Sequence, residues 1–390
     1  MQRIETVIRT LASDIGARPV GTAANDAARR YLTAIAEESN FIVSTLPFDC
    51  LRWERGPSSL SVDGRTIAIH PGPFSPALEG TFTVAYVSTI EELRSTELTG
   101  KLIVVRGALA EEPLMPKDFP FYYPDNHKEI IDLIERRKPA GVLAVTGKHP
   151  MCGWNPFPLF EDGNLGIANA FCSSIRDNGV REISVTLNSS AVPSTGEQII
   201  FSRNAASKKR VVLCAHMDTK YETPGALDNA SGVATLVGVM ERLAGADLSV
   251  ALDVVPFNGE EYFAVPGQLA YLRDRKPRVE TTSLVINVDG LGHIDSRNAY
   301  SYYNASEEDA ARIGEIVEKN DTAVAGEQWV AGDHAMFAFQ GVPCVAVTSS
   351  NLMETVLDLI HTAGDTVDNV DGTLIETAAD TIAEIIRSVD

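Results

Sequence analysis

Beyond position 197 the chain alternates short apolar runs with helical patterns, and this alternation constrains its fold more than any other feature. Strands are expected at 210–215, 249–257, 284–288 and 342–348, and helices at 230–244, 267–273, 307–319 and 373–389. A strand–helix succession of this kind implies an α/β fold: a mostly parallel twisted sheet flanked by helices. The strands VVLCA, SLVINV and VPCVAV are almost unbroken apolar runs, as burial on both faces requires. Polar residues gather just past their C-terminal ends, where open sheets of this kind keep their sites.

The remaining segments have a different texture. Residues 4–39 read as two helices split by Gly16-Ala17-Arg18-Pro19, with Ala27, Tyr31, Leu32 and Ile35 at helical spacing. Between 48 and 196 the pattern changes to short β-rich runs at 60–62, 81–87, 101–105 and 141–145, punctuated by Pro and Gly. The expected organisation is therefore one domain from 1–47 and 197–390, interrupted by an inserted β-rich domain at 48–196. Two aromatic, proline-rich stretches of the insert, 119–124 and 154–160, read as ordered loops that either wall a cleft or pack a domain interface.

Taken in order, the strand ends carry His216 and Asp218, then Asp228 before a helix, Glu260 and Glu261, Asp289, and finally His361 before a polar loop. Alone, a strand-end Asp is more often a helix cap and a lone His a hydrogen-bonded structural residue. Together they form a mixed imidazole and carboxylate set suited to zinc or another first-row divalent ion. With no Cys in it, the set reads as a catalytic site with open positions. Asp228 is either an N-cap for the helix that follows or, through its two oxygens, a bridge between two metals. Glu260 and Glu261 diverge at a strand-to-loop transition, so one can ligate while the other stays free to take a proton from water. Asp218, two residues past His216, can reach back to fix the imidazole tautomer. His361, at the mouth of its loop, is read as a ligand. His70, His127, His149 and His293 have no such context and are read as surface or structural residues.

Composition removes several alternatives. Lys and Arg number 33 against 53 Asp and Glu, a net charge of −20 that argues against nucleic-acid binding. No apolar stretch is long enough to span a membrane. The first 18 residues lack the apolar core of a signal peptide, so the sequence reads as cytoplasmic, with a trimmed secreted form left open. The five cysteines are scattered without C-x-x-C spacing and read as buried thiols. Oligomeric state is not legible.

The motifs A-H-M-D-T (215–219), L-D-N-A-S-G (227–232), N-G-E-E (258–261), N-V-D-G (287–290), G-D-H-A-M-F (332–337) and H-T-A-G-D-T-V-D-N (361–369) form a recognisable series. The chain resembles the di-zinc aminopeptidase family of metallopeptidase clan MH, which also contains glutamate carboxypeptidase. I-G-A-R-P-V-G-T (15–22) resembles that family's opening segment, and 98–107 with 139–145 resembles its inserted protease-associated domain. The resemblance implies one zinc on His216, Asp228 and Asp289 and a second on Asp228, Glu261 and His361. It also implies Glu260 as general base toward a metal-activated water, and peptides with a free N-terminus as substrates. Asp333 and His334 are given a supporting role. Where some members carry a Tyr before the last His, this chain has Ile360, so that source of oxyanion stabilisation is missing. Three alternatives belong to the same fold. A glutaminyl cyclase is associated with a single zinc, a carboxypeptidase would want basic groups for a terminal carboxylate, and a non-catalytic binding protein would be expected to have lost ligands.

Overall fold

A computed structural model describes residues 2–117, 119–175, 181–279 and 281–389. The chain forms two compact units, Met1–Cys50 with Thr195–Asp390, and Leu51–Ser194.

The first unit is built on an eight-stranded sheet whose strands are β1 (Ile42–Arg55), β2 (Ser189–Arg203), β3 (Arg210–His216), β4 (Ala251–Phe257), β5 (Thr282–Val288), β6 (Asn298–Tyr303), β7 (Ala323–Ala325) and β8 (Cys344–Ser349). Their spatial order is β1-β2-β4-β3-β5-β8-β6-β7. The central strands β4, β3, β5 and β8 run parallel, while β2 and β6 pair antiparallel with β4 and β8. Every residue of β3, β4 and β8 is buried, which accounts for their continuous apolar sequences. The sequence did not announce β6 and β7; N-A-Y-S-Y-Y mixes polar and aromatic residues and lacks a clear period.

Helices α1 (Gln2–Arg9), α2 (Ala23–Glu38), α3 (Ser231–Leu243), α4 (Pro266–Val279), α5 (Glu307–Val317) and α6 (Gly372–Arg387) belong to this unit. α1 runs on as a wider turn, Thr10–Ile15, and ends at Gly16, whose φ of 74° few other residues adopt readily. Thr22 restarts the chain as α2 by accepting the Asn25 N–H on its hydroxyl, and Ser306 and Asp371 cap α5 and α6 in the same way. One continuous core joins Ile4, Val7 and Leu11 of the opening segment to Val233 and Val237 of α3 and Ile382 and Ile386 of α6. Each such side chain contributes roughly 1.5–3 kcal/mol on full burial.

The second unit also carries an eight-stranded sheet. Within it Leu78–Val87, Leu102–Val105, Gly141–Val145 and Asn169–Cys172 are parallel neighbours, and antiparallel strands complete the sheet. Alternate residues of these strands face different clusters: Ile103 and Val105 pack with Ile130 and Ile134, whereas Leu102 and Val104 pack with Ile183 and Val185. The β-rich reading of this segment overlooked a helix at Asp125–Arg137, whose charged outer face obscures the apolar stripe Ile130, Ile131 and Ile134. All five cysteines are buried thiols. Among the described residues no helix is long and apolar enough to cross a membrane.

Candidate metal centre

Strand order locates the site. The chain leaves β3, builds β4 on one side of it, then returns to build β5 on the other. Successive connections therefore part at the C-terminal ends of β3 and β5, and a crevice opens there. His216 is the last residue of β3, and Asp289 directly follows β5, its N–H donating to Val347 O at 3.0 Å.

Into this crevice the loops bring three further groups. The His216 Nε2 lies 2.9 Å from Asp228 Oδ1 and 3.5 Å from Asp289 Oδ1. The His361 Nε2 lies 3.0 Å from Asp228 Oδ2 and 2.8 Å from Glu261 Oε1. Asp228 thus gives one oxygen to each imidazole, and two sets of potential ligands share it: His216, Asp228 and Asp289, and Asp228, Glu261 and His361. The ligand atoms of each set lie within 4.8 Å of one another. Tetrahedral zinc with bonds of about 2.0–2.1 Å would set its ligands about 3.3 Å apart, and the observed spacings bracket that value. Glu261 Oε1 is buried without a hydrogen-bond donor other than what His361 offers as an ion pair, as a ligand oxygen waiting for a cation would be. The donor set and its spacing fit two divalent ions.

Asp228 does not cap α3. It lies in a non-helical kink before the helix, with φ −120° and ψ 86°, and its peptide to Asn229 is cis. The carboxylate of Asp365 holds this kink, accepting the N–H of Leu227 at 2.7 Å and of Asp228 at 3.1 Å. His361 itself takes φ 60°, a left-handed conformation that His tolerates better than bulkier residues.

Asp218 reaches back to His216 and also serves a second loop. The carbonyl of Asp218, at 3.2 Å, is what accepts from His216 Nδ1, while its carboxylate stands 3.8 Å from that nitrogen. The carboxylate instead accepts the N–H groups of Gly259, Glu260 and Glu261 at 2.9, 3.2 and 3.1 Å. Because His216 is in register with Phe257 of β4, the loop after β4 emerges beside Asp218, whose oxygens fix the direction in which Glu260 and Glu261 leave the backbone.

The electrostatics follow from crowding carboxylates in a buried crevice. Burial alone would raise Asp228, but hydrogen bonds from His216 and His361 overcome it and hold this carboxyl well below its ordinary range. Burial would lower His216, yet Asp289 and Asp228 hold its imidazole well above the usual value. Glu260 is pushed well above the carboxylate range by burial, against the pull of His216, with Glu261, Asp333 and Asp289 adding to the rise. Asp289 and Asp218 are raised by burial too. Asp333 is pushed up to about 7, chiefly by burial, with one oxygen on Gln268 Nε2 at 3.0 Å. His334 lies behind it, its Nε2 on Trp329 O at 3.0 Å and its Nδ1 3.3 Å from the Asn287 amide.

Several residues of this centre had no sequence reading. Asp365 was visible only as a loop carboxylate. Lys220, whose Nζ lies 3.4 Å from Glu261 Oε2, and Gln268 had no motif. Arg18 stood in a quoted motif without a role. Asn258, in N-G-E-E, exchanges amide hydrogen bonds with Asn25 of α2 at 2.8 and 3.0 Å. An Arg after Gly-Ala and before Pro, bounded by apolar helices, was the one available hint. The other four histidines are structural: His127 Nδ1 accepts Met115 N–H, His149 Nδ1 accepts Met151 and Cys152 N–H, His293 pairs with Asn351, and His70 stacks on Phe171.

Residues 198–386 match the model of peptidase family M28. Among curated proteins none matches the chain in sequence. The fold is that of solved aminopeptidases. An aminopeptidase from Aneurinibacillus sp. strain AM-1 is 16% identical with a TM-score of 0.73, over 99% of this chain and 92% of that one. A zinc aminopeptidase from Bacillus subtilis is 18% identical with a TM-score of 0.74, over 99% and 94%. A glutaminyl cyclase from Porphyromonas gingivalis is similar at 14% identity and a TM-score of 0.54, over 99% and 96%.

Proposed function

We propose that this protein is a zinc-dependent aminopeptidase of the M28 type, removing N-terminal residues from peptides. The observation that carries the reading is the division of the Asp228 carboxylate between His216 and His361, each of which has a further carboxylate beside it. His216, Asp228 and Asp289 would hold one ion and Asp228, Glu261 and His361 the other. When bound, the ions supply Lewis acidity that polarises a scissile carbonyl and makes water a better acid.

The chain's own groups do the rest. The Asp218 carbonyl holds a proton on His216 Nδ1, so Nε2 is the nitrogen that would give up its proton and turn its lone pair to an ion. The Asp218 carboxylate anchors the backbone from which Glu261 turns to the ligand set and Glu260 stays free. The Glu260 carboxylate takes a proton from the attacking water as the oxygen bonds to the carbonyl carbon. It then returns that proton to the leaving nitrogen as the carbon–nitrogen bond breaks. The raised affinity of Glu260 for a proton suits both halves of this exchange. A substrate ammonium group is drawn to the surrounding carboxylates, which favours exopeptidase action at a free N-terminus. The segment 48–196 is proposed as a protease-associated-like insert.

Hydrolysis of aminoacyl-anilides by metal-loaded protein, lost on chelation and restored by zinc, is the expected result. Fully loaded protein that hydrolyses none of a panel would reject the reading. Because the fold is also that of a glutaminyl cyclase, the panel includes a peptide with N-terminal Gln: cyclisation without hydrolysis would replace the aminopeptidase reading. Two complete ligand sets favour hydrolysis.

A further inference from the structure

Arg18 is fully buried, yet each hydrogen bond of its guanidinium ends on a main-chain carbonyl. Nε donates to Met217 O at 2.7 Å, Nη2 to Gly225 O at 2.9 Å, and Nη1 to Pro224 O at 2.8 Å and to Leu11 O and Gly16 O at 3.3 Å. Desolvating a guanidinium costs several kcal/mol, and an apolar side chain would fill the same space without that penalty. The charges that favour it are those of Asp365, Asp218 and Asp228, all members of the candidate metal centre.

The acceptors explain the position. Met217 lies between His216 and Asp218, and Gly225 opens the turn that leads to Asp228. That turn admits no side chain at Gly225, because a Cβ there would stand 2.4 Å from Thr219 Cγ2 and 2.5 Å from Asp228 O. The Arg18 N–H donates to Thr219 Oγ1 at 2.9 Å, and its carbonyl accepts from Asn25 Nδ2 at 3.1 Å, the amide that also grips Asn258. Arg18 therefore ties the segments beside His216 and Asp228 to each other, and through Asn25 to the loop that carries Glu261. We propose that Arg18 is a positioning residue for the metal centre, its planar fork fixing the His216 and Asp228 loops at ligand spacing and its charge partly offsetting the carboxylates. The proposal rests on the two-ion reading above and adds a residue that touches neither ion nor substrate. Lys would keep the charge but cannot span acceptors on three segments with a planar fork.

The test is zinc affinity by competition with a chromophoric chelator, in wild type, Arg18→Lys and Arg18→Met, together with cobalt absorption spectra and urea midpoints of the metal-free proteins. Arg18→Lys is expected to weaken zinc binding by about 10- to 100-fold, to alter the cobalt spectrum, and to lower kcat with little change in KM. Arg18→Met is expected to weaken zinc binding further. A purely structural role would instead lower the metal-free urea midpoint and leave affinity within twofold of wild type; that result, or failure of both variants to fold in saturating zinc, overturns the proposal. Wild type that takes up no zinc would sink the two-ion reading and this inference with it, whereas wild type with two ions and unaffected variants sinks this inference alone.

Discussion

Asp228 and Glu260 lie in the same crevice but respond to different demands, and substitution separates them. Asp228 touches both imidazoles, so Asp228→Ala is expected to lose bound metal and activity together. Glu260→Gln keeps the shape, leaves the ligand sets intact, and is expected to retain wild-type metal content while losing at least 100-fold in kcat, about the low end for removing a general base. Metal analysis beside kinetics checks both, and equal metal loss in the two variants would reverse the assigned roles. His334 gives a pH-dependent prediction. Asn287 donates to its Nδ1 and its Nε2–H donates to Trp329 O, an arrangement only the neutral ring allows. Burial pushes its pKa down to about 4 from an ordinary 6.5. The unfolded chain then binds the proton first, so stability is full above pH 6.5 and drains away as pH falls toward 4, by about 3 kcal/mol. Wild type should lose that much more than His334→Gln across this window in urea titrations, and parallel pH profiles would refute it. Residue types at strand ends made the converging His and carboxylate groups legible in the sequence. Arg18 was not legible, because its partners are carbonyls as far as 207 positions away and carry no side-chain signature. Asp218 shows a subtler limit: spacing brought it near His216, but only the register of β3 with β4 decides that its carboxylate serves the Glu260 loop.

Among the elements, those buried on both faces were the readable ones. β3, β4, β5 and β8 declare themselves by mostly apolar sequence, and α3 and α6 by length and periodicity. Half-exposed strands such as Glu182–Leu187, with alternating buried and exposed residues, are short enough to be lost between turns, and the helix Asp125–Arg137 is dominated by its charges. α3 is central to the first unit because it packs against α1 and α6 and begins just past Asp228. At Gly238 it meets both neighbours, where a Cβ would lie 3.0 Å from both Ala379 Cβ and Ile4 Cδ1. A larger side chain there must push α6 or α1 away. Gly238→Leu is therefore expected to destabilise the protein by about 1–3 kcal/mol, read as a lowered urea midpoint. An unchanged midpoint would mean that the helices are packed less tightly at this point than the distances say.

At the scale of the whole chain, stability divides as the cores do. The first unit has one continuous apolar core and the metal centre, whereas the second has its own clusters on the two faces of its own sheet. Metal binding to the folded state alone stabilises by about 2.7 kcal/mol per ion at a free concentration 100-fold above Kd, and any such gain falls to the unit that carries the candidate ligand sets. Trp329 lies in the first unit and Trp154 in the second, while Trp53 sits on β1, a strand of the first sheet whose range crosses the boundary at residue 50. In urea, the transition seen by Trp329 alone, in a Trp53→Phe, Trp154→Phe background, is expected to move to lower urea on chelation and back with added zinc. In Trp329→Phe, Trp53→Phe protein, the transition reported by Trp154 is expected to stay in place, as is that of residues 51–194 produced alone. Their own clusters supply what that unit needs, so zinc has nothing there to stabilise. If both reporters shift together with zinc, the units unfold as one cooperative body, and the metal centre stabilises the insert as much as the sheet on which it sits.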